Sequence, residues 1–227
     1  MRLVDRTAVV TGGAGGIGGA IVRALTATGH DVAILDREGE FAVDLGDERA
    51  VRRIAERLGP RDVLVHAAAA FDRASLADLD LPTWRRVQAV NVEAALWLCQ
   101  TLTPAMAERG FGRIVFIASN TVWRPPAADF LPYVVSKAAL IGIARSLAKP
   151  LGEHGITVNC LAPGLTRTPF TEANLPEQAF ADARARQAVP STTLPEDIAA
   201  LVAFLASDAA GAITGQTLVA DGGSIFR

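Results

Sequence analysis

Residues 7 to 22 read Thr7-Ala-Val-Val-Thr-Gly-Gly-Ala-Gly-Gly-Ile-Gly-Gly-Ala-Ile-Val22, and no other stretch constrains the chain as much. Four residues have the pattern of a buried strand. A glycine-dense turn follows, and then an apolar-faced helix running to about Gly29. A turn of this kind lets backbone amides approach a diphosphate, and the helix N-terminus adds partial positive charge. The run from Gly13 to Gly18 fits GxGxxG, and the run from Thr11 to Gly18 fits TGxxxGxG. Gly12, Gly15, Gly16, Ile17 and Gly18 are therefore the candidate phosphate-side residues. Glycines also serve plain tight turns, but the strand before and the helix after favour the cradle.

The remaining chain supplies one α/β domain. Its 227 residues are half apolar and one fifth charged, which is ample material for a core. A net charge of -2 invites neither nucleic acid nor an anionic membrane. Cys99 and Cys160 lie in apolar runs without metal-like spacing, so both read as core thiols and no metal is expected. The segment Met1-Arg-Leu-Val-Asp5 lacks a secretory h-region, and no run is expected to reach the length of a membrane span. A cytoplasmic location is the resulting expectation.

Strands and helices alternate from end to end. Strands are expected at about 6–11, 31–36, 41–44, 62–66, 113–118, 156–161 and 217–220. The second ends on Asp36, 18 residues past Gly18, where this architecture places a carboxylate against the adenosine ribose. Such an acid repels a 2′-phosphate, so NAD is expected and NADP is ranked below it. Arg37 follows directly and tempers that preference. The third strand is brief, and Asp44 and Leu45 at its end are candidates to border the adenine. Asp47 caps the next helix. After the fourth strand, Ala67, Ala68 and Ala69 are small enough for backbone to lie close to a nucleotide. His66 lacks a visible orienting partner and reads as a local hydrogen-bonder rather than a base.

Pro82 opens a long helix expected from Thr83 to about Met106. Asn91 sits inside its apolar stretch, where an amide must be satisfied or used, and it is a candidate to distort the helix and hold a water. Ser119 ends the fifth strand, where open α/β sheets bind ligands. Tyr133, the sole tyrosine, precedes Lys137 by four residues, so the two share a helix face. A free phenol has a pKa of about 10 and is a poor base near neutrality. A neighbouring ammonium favours the phenolate, and Tyr133 is expected to exchange a proton with an alcohol or a carbonyl oxygen. Pro163, Gly164, Thr166 and Thr168 follow the sixth strand. A polar segment from about 165 to 191, with Phe170 and Phe180 as anchors, reads as a flap over the cleft.

Taken in order, Thr11-Gly12…Gly16-Ile17-Gly18, Asn91, Ser119, Tyr133-x-x-x-Lys137, Pro163-Gly164…Thr168 and Asp221-Gly-Gly223 resemble the classical short-chain dehydrogenase/reductase family. The resemblance covers essentially the whole chain. It implies a single Rossmann-type domain with a seven-stranded parallel sheet in the order 3-2-1-4-5-6-7. It implies hydride transfer between nicotinamide C4 and a carbinol or carbonyl carbon. Ser119 matches the serine on the substrate oxygen, Tyr133 the acid/base, and Lys137 the lysine on the nicotinamide ribose. Asn91 matches the asparagine that positions a relay water, and Thr168 the threonine near the carboxamide. Dimers or tetramers are usual in the family. One departure is plain: His66-Ala-Ala-Ala69 stands where the family commonly has Asn-Asn-Ala-Gly.

The substrate expected is a small alcohol or ketone, first a cyclic or aromatic secondary alcohol. Reduction of a 3-oxoacyl thioester is the alternative, and it calls for a basic entrance patch. A non-catalytic NAD-binding regulator on the same fold is the reading of another class.

Overall fold

The computed structural model describes residues 6–226. Met1–Asp5, on which the leader expectation falls, lie outside the described residues, as does Arg227. Seven parallel strands form one sheet in the order β3-β2-β1-β4-β5-β6-β7. They are β1 (Arg6–Thr11), β2 (His30–Asp36), β3 (Phe41–Ala42), β4 (Val63–His66), β5 (Gly112–Ile117), β6 (Ile156–Pro163) and β7 (Thr217–Ala220). The order reverses between β1 and β4, and ligands of such sheets bind in the crevice at that point.

Period-two alternation along the strands divides the core into two layers. Val9, Leu64, Ile114 and Phe116 face α2 (Glu48–Leu58), α4 (Ala94–Glu108) and α5 (Leu131–Gly152). Ala8, Val10, Val65 and Val115 face α1 (Gly16–Ala27) and α8 (Pro195–Leu205). The helices therefore cover both faces of the sheet, as expected of it.

Local differences from the sequence reading have physical causes. β3 stops at Ala42, because the short connection from Asp36 allows pairing only of Leu35 with Phe41 and Asp36 with Ala42. The helix expected from Thr83 is not continuous. α3 (Leu81–Gln88) passes into a π-helical turn, Ala89–Glu93, before α4. Residues 128–152 form a run long and apolar enough to cross a membrane by length and composition, contrary to expectation. Here the apolar helix packs on the sheet, with Lys137, Leu140, Ile141 and Ala144 buried.

The tightest glycine contact joins the first turn to its helix. A Cβ at Gly18 would lie 2.0 Å from the Gly12 carbonyl oxygen. Neither backbone segment can yield without moving β1 or α1. Gly18→Ala is expected to cost about 2 kcal/mol or more. A denaturant midpoint equal to that of the parent protein would contradict this packing.

Candidate active site

The site forms along the C-terminal edge of the sheet. Gly12 takes a positive φ of 70° and donates its N–H to Leu35 O at 2.8 Å. A Cβ there would come within 2.7 Å of Ala68 Cα, so the turn lies directly on the alanine run after β4. α1 starts at Gly16, with Gly15 as N-cap, no side-chain cap and no acid in its first turn. Asp47, Asp80 and Thr168, by contrast, cap α2, α3 and α6 (Pro169–Asn174). The uncapped turn leaves backbone donors and the positive helix end for an anion. A Cβ at Gly16 would meet the Thr168 side chain at 2.9 Å, so the β6 loop stands beside this cradle. A cavity of about 470 Å³ reaches Gly13, Ala14, Gly15 and Gly16 on one side and Pro169 on the other. These features suit the diphosphate of a dinucleotide. The cavity does not reach Ser119, Tyr133 or Lys137.

The other nucleotide-side residues fall into place unevenly. Asp36 accepts from Ala14 N–H at 3.0 Å and from Arg37 N–H at 2.8 Å, so its carboxylate braces the glycine turn. Asp44 accepts from Gly46 N–H within its own turn. Leu45 is buried in the core, so its side chain does not border a nucleotide. Ala67 and Ala68 donate their N–H groups to Thr11 Oγ1, while Ala69 is exposed at the cleft. Pro163 pairs with Ala220, Gly164 N–H donates to Ala220 O, and Thr166 bridges to Thr193. Thr168 directs its hydroxyl to the first turn of α6, accepting from Thr171 N–H at 3.1 Å.

α5 brings the remaining polar residues together. Lys137 is 2% exposed, and its Nζ donates to the Ile117 carbonyl at 2.7 Å. Ser119 Oγ accepts from Thr121 N–H and Thr121 Oγ1, and its hydroxyl lies near enough to the Tyr133 phenol to favour the phenolate. Burial pushes the Tyr133 phenol up to about 12, against the lowering effect of the nearby Ser119 hydroxyl. Burial likewise pulls Lys137 down to about 8. The phenol made acidic by an ammonium, expected from the sequence, is thus not what the ligand-free site contains. The Lys137 ammonium lies 5.5 Å from the ring centroid and is committed to Ile117.

Asn91 distorts its helix as expected, for the π turn falls on it. Its side chain makes three hydrogen bonds to protein. Oδ1 accepts from Ala70 N–H at 2.7 Å, and Nδ2 donates to Ala70 O and to Ser136 Oγ. Both Nδ2 protons are thus used by protein, while Oδ1 accepts a single bond.

Sequence reasoning missed Phe71. Its ring packs edge-on to Tyr133 at 4.8 Å, Phe130 at 5.3 Å and Phe170 at 5.8 Å between centroids. The available signal was its place just past a run of small residues at a strand's C-terminal end. Of the two flap anchors, Phe180 is buried and Phe170 is 55% exposed over this aromatic group. Three nearby arginines are paired, Arg73 with Asp129, Arg86 with Asp72, and Arg167 with Glu172 and Glu177, whereas Arg124 in the loop after β5 is exposed.

Comparison with known proteins gives the chain's relatives. A family model described as Enoyl-(Acyl carrier protein) reductase matches residues 41–224. The chain is 35% identical over 248 residues to Dehydrogenase/reductase SDR family member 4 of Bos taurus, covering 98% of this chain and 88% of that one. It belongs to the short-chain dehydrogenase/reductase family. A second member, D-xylose 1-dehydrogenase of Caulobacter vibrioides, is 32% identical, with 97% and 96% covered. A crystal structure of a 3-oxoacyl (acyl-carrier-protein) reductase from Agrobacterium tumefaciens with NADP bound matches with a TM-score of 0.90 at 30% identity, covering 98% and 95%. A candidate NAD(P)-dependent gluconate 5-dehydrogenase from Beutenbergia cavernae, with NADP at low occupancy, matches at 0.91 and 35%, covering 97% of each chain.

As a member of this family, the protein is an NAD(P)-dependent oxidoreductase acting on CH–OH groups. The two NADP-bound relatives overturn the ranking of NADP below NAD. The physical reason lies in Asp36, whose two oxygens already serve backbone amides beside the exposed Arg37, so its charge does not face the ribose unopposed.

The loop after β5 is tied to the residue following β7 by a part-buried bond, Asn120 Nδ2 to Asp221 Oδ2 at 3.0 Å. Asp221 is 2% exposed. Asn120→Ala is expected to cost about 2 kcal/mol in urea unfolding, as for a lost bond to a buried charge. A change under about 0.5 kcal/mol would show that the loop does not depend on this contact.

Proposed function

We propose that the protein interconverts a cyclic or aromatic secondary alcohol and its ketone, with Tyr133 as the acid/base. The observation that carries this reading is the gathering of Ser119, Tyr133 and Lys137 at the C-terminal end of β5, with Lys137 Nζ held by Ile117 O and 5.5 Å from the Tyr133 ring centroid. A bound nicotinamide dinucleotide supplies the hydride acceptor or donor at its C4. The chain's own residues do the rest. Ser119 and Tyr133 hold the substrate oxygen from two sides and orient the carbinol carbon. In oxidation the Tyr133 oxygen takes the hydroxyl proton, and in reduction it returns one to the carbonyl oxygen. Lys137, fixed by Ile117 O, presents its remaining donors to the nucleotide ribose. Gly12 to Gly18, Ala69, Gly164 and Thr168 line the nucleotide's course, and the aromatic group around Phe71 excludes water from the reacting end.

The four rings support an apolar ring as substrate. The paired state of Arg73, Arg86 and Arg167 weighs against an anionic carrier at the entrance. Reduction of a 3-oxoacyl thioester is the second reading, supported by the description of the matched family model and by one matched structure. A panel of ring-borne alcohols, sugars and a 3-oxoacyl thioester, followed at the nicotinamide absorbance, separates them. Thioester turnover far above every alcohol would overturn the first reading.

Tyr133→Phe should lower kcat by about 10²-fold or more while dinucleotide binding, measured by fluorescence, persists. Unchanged turnover would refute the assignment of Tyr133. Phe71→Ala should raise KM for an aromatic alcohol by about tenfold and change KM for a short linear alcohol little.

The pH dependence follows from the resting phenol. Burial holds Tyr133 protonated through neutrality. Oxidation requires the proton-free oxygen, so its kcat/KM should climb with pH. Reduction requires the protonated phenol, so its kcat/KM should stay level and then fall at alkaline pH. A fall in oxidation between neutrality and alkaline pH would contradict this assignment.

A further inference from the structure

The residue that departs most from the family pattern, His66, sits at the centre of a buried chain of hydrogen bonds. Thr11, His66, Asn91 and Ser136 are all 0% exposed. Thr11 Oγ1 accepts from Ala67 N–H at 3.1 Å and Ala68 N–H at 3.2 Å. Both of its lone pairs are then taken, so its single proton goes to His66 Nδ1 at 3.0 Å. Nδ1 is thereby the bare nitrogen. The proton resides on Nε2, which faces the Asn91 carbonyl at 3.2 Å. A carbonyl only accepts, so both ends of the ring specify the same neutral tautomer.

The chain continues from the far side of Asn91. Nδ2 donates to Ser136 Oγ at 2.9 Å, and Ser136 Oγ donates to the Tyr133 carbonyl at 2.7 Å. The π turn makes this possible. It shifts bonding to Ala94 N–H with Ala89 O and places both the carbonyl and the amide of Asn91 toward the sheet. One path of hydrogen bonds thus runs from Thr11, beside the glycine turn, to the backbone of Tyr133. An asparagine at position 66 is shorter. Its amide could occupy the place of Nδ1 but would not extend to Nε2.

We propose that His66 is a positioning residue, a neutral Nε2–H imidazole that ties the Asn91 π turn to the end of β1 and so fixes the register of Tyr133 against the nucleotide cradle. It acts through Asn91 and Ser136 and touches no reacting atom. This role rests on the oxidoreductase reading above. Burial and the nearby Lys137 charge push the imidazole down to about 3, in keeping with an uncharged ring throughout the working range.

Two experiments test it. In the first, His66→Gln places an amide N–H where Nε2–H stands, whereas His66→Asn restores only the Thr11 side. His66→Asn should lower kcat by about tenfold with little change in KM for the dinucleotide, and His66→Gln should recover most of that loss. Equal kcat in the two variants, or a loss confined to dinucleotide KM, would overturn the proposal. The second uses ¹⁵N-histidine-labelled protein and needs neither turnover nor folding of a variant. One of the three imidazoles should show a protonated Nε2 and a bare Nδ1, unchanged from about pH 5 to 8. A ring that titrates in this range, or one with Nδ1 protonated, would overturn the assignment whatever the substrate proves to be.

Discussion

The bond from Lys137 Nζ to the Ile117 carbonyl, 2.7 Å long and 2% exposed, governs the site. An ammonium in an apolar helix is costly to desolvate, and only a dedicated acceptor makes its burial tolerable. The end of a central strand provides one, because its last carbonyl has no further ladder partner. α5 is thereby held at one rotation and one height over the sheet. Tyr133, four residues earlier, then falls beside Ser119, two residues past the same strand end. Fold and chemistry depend on a single contact, since the charge that fixes the helix also stands next to the phenol.

Parallel topology gathers the rest. Every strand points its C-terminal end to the same edge, so Thr11, Asp36, His66, Ile117, Pro163 and Ala220 converge although they lie far apart in sequence. The glycine turn meets the alanine run of β4 at backbone distance, and the β6 loop meets the turn through Thr168. Substitutions toward small residues at these crossings are structural requirements first. They leave donors exposed to an anion as a consequence.

Strand order and element types were legible in the sequence because both depend on periodicity and on turn residues. The pairing of Tyr133 with Lys137 was legible because helical spacing is fixed. The π turn was not, although Asn91 signalled it, since an amide in an apolar helix shows that something must satisfy it without saying what. The state of Tyr133 was misjudged for a related reason. Spacing places an ammonium near a phenol, but which acceptor holds the ammonium is a tertiary fact, and desolvation is the largest influence on both groups. Asp36 misled likewise, because a carboxylate at a strand end can serve a ribose or its own turn. Phe71 escaped notice because aromatic clustering across three loops leaves no local pattern.

Lys137 and Lys149 are the only lysines, so the buried one is accessible to direct measurement. Lysine labelled with ¹³C and ¹⁵N and titrated by NMR in the ligand-free protein reads the ammonium itself, with Lys149→Arg assigning the signals. The account predicts that the Lys137 signal titrates at about 8. Two lysines that both titrate as exposed ammonium groups would contradict the buried anchor and, with it, the placement of Tyr133.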